Sequence, residues 1–406
     1  MLKKSSRHVL GFIVAALIAS VAAAQPVPAA APTNGTLFGV VGCQLDCHPF
    51  VDRLDPTSGA ETPFVDLGQV GAGSLVADPV DHRLYSAGAT VGGGKGGGGG
   101  NSVIFTVDTQ AGVVTTSPDL SVFPLDMVLD PANHTLLALS NSNSSISVVR
   151  LDPATWIATP LATLAEGARG LAYDPTSRIL YTQTNDFTVF PPTGRLFAIN
   201  TQTGAVSAGT SLNPAVFNLV FDTSSRALYG EAGSFPNRFV QVNPSTGAVT
   251  PVGSFTFPAG FATAVTVDSG THTVFFVETE VVLGGARATW IATVNDQTGA
   301  STLSPQTAQP VRGIAFQPPP ITAESIQSDV RLALASGAID NPGVANSLLA
   351  KLNAAADARS RGNCNTAANV YASFVNDLSA QSAKHVATTT ATQLTAEAQF
   401  LIANCP

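Results

Sequence analysis

Charge is scarce in this chain: of 406 residues only 11% are charged, against about a quarter in an ordinary globular protein. The polar surface therefore has to come from Thr, Ser, Asn and Gln, as in many secreted β proteins. Basic residues are the scarcer sign, with 19 Lys and Arg against 27 Asp and Glu. That balance excludes nucleic acid as a partner, because there is no basic patch to neutralise phosphates. Long apolar runs are missing as well, apart from one between Val9 and Val21, which excludes a chain that threads a membrane repeatedly.

The single apolar run has a recognisable setting. "MLKKSSRHVLGFIVAALIASVAAAQP" starts basic, turns apolar and ends on the small residues Ala22 and Ala24, the pattern of a secretory signal peptide over residues 1–24. As a permanent anchor it falls short of the roughly 20 apolar residues a spanning helix needs. The expectation is a secreted or periplasmic protein with no membrane span after cleavage. Losing Lys3, Lys4 and Arg7 takes the 19 basic residues to 16 and the formal charge from -8 to -11. Cys43, Cys47, Cys364 and Cys405 all lie beyond the cut. An even count in an exported chain favours two disulfides, expected locally as Cys43 with Cys47 and Cys364 with Cys405.

What the chain has in quantity is a repeat. "GLAYDPTSRILY", with Asp174, returns at spacings of 44 to 52 residues: "SLVADPVDHRLY" carries Asp78, "DMVLDPANHTLL" Asp130, "NLVFDTSSRALY" Asp222, "AVTVDSGTHTVF" Asp268, and "GIAFQPPP" closes the series at Gln317. A second phrase runs in step, from "RLDPTSGA" at Asp55 through Asp108, Asp152, Asn200 and Asn243 to "TVNDQTGA" at Asn295. Both are turn chemistry. Asp or Asn ends a strand because its side chain accepts hydrogen bonds from the next amides, and Gly four residues on supplies positive φ. Trp156 stands where the other copies have that Gly, which predicts a different turn there.

Four residues after the strand-ending Asp stand His82, His134, Arg178, Arg226 and His272. Asp174 and Arg178 are therefore repeat grammar and not a catalytic pair. Three of the six histidines occupy equivalent positions in different repeats, which spreads them around the molecule and predicts no shared metal site.

Each repeat holds four short β-runs, such as "RGLAYD", "ILYTQT", "RLFAIN" and "AVSAGT", and four short strands every 40 to 50 residues make a propeller blade. "TLFGVVG" at residues 36–42 is a second strand with no first, while "RGIAFQP" at 312–318 is a first strand with nothing after it. Joined, they complete six blades in a ring without open edges. The fold class expected is mainly β, a six-bladed β-propeller over 36–318 behind a linker at 25–35, with a small all-α bundle at the C-terminus. The phrasing resembles exported bacterial six-bladed propellers of the broad TolB-like class. That resemblance implies fold far more than activity, because the class includes hydrolases, lyases, binding proteins and scaffolds.

After "QPPP" the turn phrases stop and apolar residues fall at helical spacing. Ile326, Val330 and Leu334 share one face, as do Leu348, Leu352 and Ala355, then Tyr371, Phe374 and Leu378, then Leu394, Ala398 and Leu401. Pro342 suits a first turn and Gly362 a stop. From "SLLAKLNAAADARSRGN" onward the segment resembles the FIMAH domain, here 322–406, a helical module at the C-termini of exported bacterial proteins. The resemblance implies an accessory or anchoring role and carries no catalytic residues.

Three stretches invite chemistry. "GCQLDCHP" resembles a haem-attachment motif but is one residue too long and lacks an evident distal ligand. Cys43, Cys47 and His48 as zinc ligands stand as the alternative to the preferred local disulfide. "VGGGKGGGGGN" at 91–101 resembles a phosphate loop, yet Lys95 is followed by Gly and then a strand, so a flexible loop insertion is expected. Propeller ligands generally bind where the innermost strands start around the channel. Those positions are Ser74, Asp126, Arg169, Asn218, Thr263 and Arg312, with Glu166 nearby. Asp126 and Asn218 suit a metal, Arg169 and Arg312 suit a carboxylate or sugar acid, and all of them also suit simple solvation of the rim. No catalytic residue, metal or cofactor is assigned. The expected function is non-catalytic binding of an anionic polysaccharide or a cell-surface partner at the channel mouth. An extracellular lyase or hydrolase acting on polysaccharide or lactone is the leading alternative, and a structural scaffold the third.

Overall fold

The computed structural model describes residues 35–42, 49–68, 70–90, 102–142, 145–164, 167–233, 236–256, 261–281 and 287–403. Residues 1–34, the segment with Cys43, Cys47 and His48, the glycine-rich stretch 91–101, Glu166 and Cys405 lie outside them. No free cysteine stands among the described residues.

Strand β1 (Thr36–Val41) is followed by β2 (Phe50–Leu54) and β3 (Glu61–Asp66). The first complete blade is β4 (Val70–Asp78), β5 (Arg83–Thr90), β6 (Ser102–Asp108) and β7 (Val114–Thr116). The second is β8 (Pro124–Asp130), β9 (Thr135–Ser142), β10 (Ser145–Leu151) and β11 (Ala158–Leu164), and the third β12 (Arg169–Asp174), β13 (Ile179–Asp186), β14 (Thr193–Asn200) and β15 (Thr210–Leu212). The fourth is β16 (Val216–Asp222), β17 (Ala227–Ala232), β18 (Arg238–Val242) and β19 (Val249–Thr256). The fifth is β20 (Phe261–Asp268), β21 (Thr273–Val281), β22 (Arg287–Asn295) and β23 (Ser301–Leu303). The last strand, β24 (Val311–Gln317), pairs antiparallel with β1, Thr36 opposite Gln317 and Leu37 opposite Phe316, so the sixth blade is β24-β1-β2-β3. The closure read from the two incomplete repeats is what the chain forms.

The cores lie between blades. Leu37, Val41 and Phe316 of the sixth blade pack with Phe275, Val277 and Ile291 of the fifth, while Phe38 and Val40 pack with Leu75, Leu84 and Phe105 of the first. At one point of the sixth-to-first seam backbone meets backbone directly. A Cβ on Gly313 would meet the carbonyl oxygen of Gly73 at 2.1 Å and the amide of Leu75 at 3.2 Å, and main chain cannot swing aside as a side chain can. Gly313→Ala is therefore expected to force the sixth and first blades apart and cost about 1–3 kcal/mol or more. At about 2–4 °C for each kcal/mol in a domain this large, thermal denaturation checks it, and an unchanged midpoint would refute the close contact.

The turn residues behave as the repeat requires, with one correction. His82, His134, Arg178, Arg226 and His272 all have φ between 49° and 56°. In the second phrase Gly59, Gly112, Gly204, Gly247 and Gly299 have φ between 66° and 73°, and Trp156 has φ 58°. The Trp156 amide donates to Asp152 O at 2.6 Å, just as Gly59 donates to Asp55 O at 2.8 Å. The turn at Trp156 is thus the same turn, not the different one its side chain predicts. Its indole meets Tyr85 edge to face, 6.2 Å between centroids, and that packing offsets the left-handed backbone.

The helices are α1 (Ala323–Ser336), α2 (Pro342–Ser360), α3 (Cys364–Gln381) and α4 (Thr388–Ala403). Thr322 caps α1 in a reciprocal capping box, Asn341 caps α2 with Pro342 at its start, and Gly337 and Gly362 turn left-handed after α1 and α2. The faces expected from spacing meet in one core, in which Ile326, Leu348, Leu352, Phe374 and Ala398 are fully buried. No helix among the described residues is long and apolar enough to cross a membrane.

Candidate functional site at the channel mouth

Each innermost strand carries one extra residue near its start. The register slips between Ala72 and Leu75, Pro124 and Asp126, Arg169 and Ala172, Phe217 and Val220, and Ala262 and Ala264. Arg312 is the extra residue opposite Val40 and Val41. A bulge re-aims a side chain and loosens the ladder locally, and a ring of six leaves a collar of residues facing the channel instead of the neighbouring strand.

That collar bounds a cavity of about 1260 Å³ on which Ser74, Asp126, Arg169, Asn218, Thr263 and Arg312 all lie. The sequence-derived positions are therefore brought together. Arg169 and Arg312 are exposed and belong to the third and sixth blades, which face each other across a six-fold ring. Asp126 is half-buried in the wall. Burial pushes its carboxyl up to about 6, against the opposing effect of the Met127 and Leu171 amides; Met127 N donates to Oδ1 at 2.9 Å. Asn218 does not pair with it. Its Nδ2 donates to Glu231 Oε2 at 3.1 Å and to Ala262 O at 2.8 Å, and it sits at φ 50°.

Glu231 is the residue sequence reasoning missed. It lies on β17 opposite Phe217, lines the cavity and is fully buried. Asn237 Nδ2 donates to Oε1 at 2.5 Å and Ala262 N to Oε2 at 3.0 Å. Burial nonetheless pushes the carboxyl up to about 7, because these are amide dipoles and no cation among the described residues compensates the charge. A lone acid in "ALYGEAG", an otherwise apolar second strand, was the available signal. Gln183, at the matching place on β13, is 1% exposed and lines the same cavity. Its Oε1 and the buried Oγ of Ser74 have no hydrogen-bond partner among the described residues.

The rim is apolar. Phe187 is 69% and Phe190 84% exposed, and Phe187 stacks on Phe217 with centroids 5.9 Å apart. All three line the cavity. Leu125 and Phe261, also exposed, line the same cavity, so exposed apolar side chains cluster at this mouth.

Residues 323–403 match the FIMAH domain. Two solved structures share the fold of the propeller. One, described as a nidogen/laminin complex, is 14% identical with a TM-score of 0.51, over 70% of this chain and 97% of that one. The other, TolB from Acinetobacter baumannii, is 11% identical with a TM-score of 0.52, over 70% of this chain and 67% of that one. No curated protein matches the sequence. At these identities the likeness concerns fold alone.

Proposed function

We propose that this is an exported binding protein that holds an extended anionic ligand, of the uronic-acid polysaccharide class, at the channel mouth without transforming it. The observation that carries the reading is the convergence of the innermost-strand residues on one cavity, with Arg169 and Arg312 exposed at opposed positions of the ring. Guanidinium forks match carboxylates in shape and charge, and the exposed phenylalanines offer flat faces to sugar rings. The unpartnered Ser74 Oγ and Gln183 Oε1 are buried polar atoms that a hydroxyl-rich ligand would satisfy. Export rests on the N-terminal signal pattern, the Cys43–Cys47 and Cys364–Cys405 bridges belong to it, and the helical domain acts as an accessory or anchoring module.

Replacing Arg169 and Arg312 together by Ala is expected to abolish retention on an acidic-polysaccharide column, and salt is expected to weaken retention of the parent. The melting temperature should hold, because both side chains are exposed. Equal retention by the double variant refutes the reading. An alternative, a lyase or hydrolase, is favoured by one observation: Asp126 and Glu231 both retain protons to unusually high pH on the cavity wall. Release of shortened or unsaturated sugars by the parent would decide for it.

A further inference from the structure

At the far ends of the innermost strands, blades are tied to one another in a repeating way. His134 Nδ1 lies 3.2 Å from Asp78 Oδ2, Arg226 Nη2 donates to Asp174 Oδ2 at 3.2 Å, and His272 Nδ1 lies 2.8 Å from Asp222 Oδ2. In each case a left-handed turn residue reaches the strand-ending Asp of the blade before it. At His134 and Arg226 one imidazole or cation meets one strand-ending carboxylate.

The seam between the fourth and fifth blades departs from this pattern. The residue after the strand-ending Asp or Asn of the second phrase is Pro56, Thr109, Pro153, Thr201 or Pro244 in five copies, and Asp296 in the sixth. Thr109 and Thr201 use that place structurally: their amides donate to His82 O and Arg178 O at 2.8 and 2.9 Å, and their hydroxyls to the same carbonyls at 2.9 and 3.1 Å. Asp296 keeps the main-chain bond, to His272 O at 2.9 Å. The turn needs nothing from its carboxylate.

That carboxylate is nevertheless buried, at 3% exposure. Its Oδ1 lies 3.5 Å from His272 Nδ1 and accepts from Gln297 Nε2 at 2.8 Å. Its Oδ2 has no hydrogen-bond partner among the described residues. One ligand atom from each of Asp222, His272 and Asp296 lies within 4.8 Å of the others. A polar pocket lined by Asp296, Ser225, Tyr229 and Gln297 adjoins the group and connects it to solvent. The other cluster of this kind among the described residues, at His134, adds Asp81, an exposed residue 3.8 Å from Arg83. Two buried carboxylates face one imidazole here, an arrangement that a cation seated between them would stabilise.

We propose that Asp222, His272 and Asp296 form a divalent-cation site of the zinc class, clamping the fourth blade to the fifth. Two carboxylate oxygens and a neutral imidazole nitrogen are a donor set that Zn²⁺ accepts, with the adjoining pocket supplying room for solvent as a further ligand. The histidines are spread around the ring as the repeat dictates, and it is a departure from the repeat, Asp296, that completes the site at one of them.

The test uses the mature chain, stripped with EDTA and titrated with ZnCl₂ by calorimetry and by thermal melting. The parent is expected to take up Zn²⁺ saturably at this site and to melt higher with it. Two variants borrow residues from sister repeats and so preserve the turn: Asp296→Thr, as at Thr109, and His272→Arg, as at Arg226. Both should fold in EDTA. Affinity should fall by at least roughly 100-fold, since losing even an outer partner of a metal ligand costs about 10- to 100-fold. Asp296→Thr should melt, without metal, no lower than the parent. No saturable uptake by the parent overturns the proposal. So does uptake by Asp296→Thr equal to the parent's in affinity and stoichiometry, which would put the ion at Cys43, Cys47 and His48 or beside His134.

Discussion

A chain lacking residues 25–42 will lose its cooperative melt. β1 is an inner strand of the sixth blade, hydrogen-bonded to β24 on one side and to β2 on the other. Removing it opens two edges at once and breaks the ring. Leu37, Phe38, Val40 and Val41 are all within 3% of full burial, and at about 1.5–3 kcal/mol for each buried side chain they contribute roughly 6–12 kcal/mol. A folded domain has only about 5–15 kcal/mol in total. Circular dichroism should show a broad or absent transition, and the unpaired edges should drive aggregation. A truncated protein that melts as sharply as the parent would refute the closure. Ending the chain at Pro320 should leave the propeller transition in place, because the helical core is built entirely from residues beyond it.

Stability should fall as pH rises from 5 to 8, by several kcal/mol. Burial holds Glu231 at about 7 against its ordinary 4.5. Burial, with the neighbouring charge of Glu61, holds Asp52 at about 6 against 3.8. The folded state keeps these protons where the unfolded chain has released them. Their stabilisation is thus fully present below about pH 4 and lost through the folded values, at about 1.4 kcal/mol for each pH unit of difference. Groups of the opposite kind set the acid limit. Asp55 is held low by Ser58 Oγ and Thr57 N, and Asp108 by the amides of Ala111 and Gln110. Their contribution is present above the ordinary carboxylate value and goes as pH drops through the lowered one. The midpoint, measured in EDTA, should peak near pH 4 and drop on the order of 10 °C between pH 5 and 8. Glu231→Gln, which cannot titrate there, should flatten the slope. A midpoint that rises from pH 5 to 8 contradicts this account.

The ring was legible because its rules are local and repeated: Asp or Asn, then a left-handed residue four positions on, six times over. The same repetition located the start of every innermost strand, and so placed Arg169 and Arg312 on one cavity. What escaped were features that arise only when blades meet. Asp174 is spaced for Arg178 along the chain, but its partner is Arg226 of the next blade, a neighbour no linear spacing reveals. Glu231 sits on a second strand, where alternation predicts burial, and its amide cradle comes from Asn218, Asn237 and the fifth blade's Ala262. Trp156 departs from the backbone rule because its contact to Tyr85, invisible along the chain, offsets a glycine-favoured conformation.

The pairing of Thr36 with Gln317 also orders events in time. The first strand of the propeller to be made waits for the last, and no intermediate length of chain can satisfy its hydrogen bonds. During synthesis five blades are able to stack as they emerge, while β1, β2 and β3 remain a three-stranded sheet with an unsatisfied apolar edge. Closing so long a loop is slow more than it is costly, since loop entropy grows only with the logarithm of length. An interrupted or cleaved chain is thereby exposed as unfinished at a single place, the gap that β24 fills.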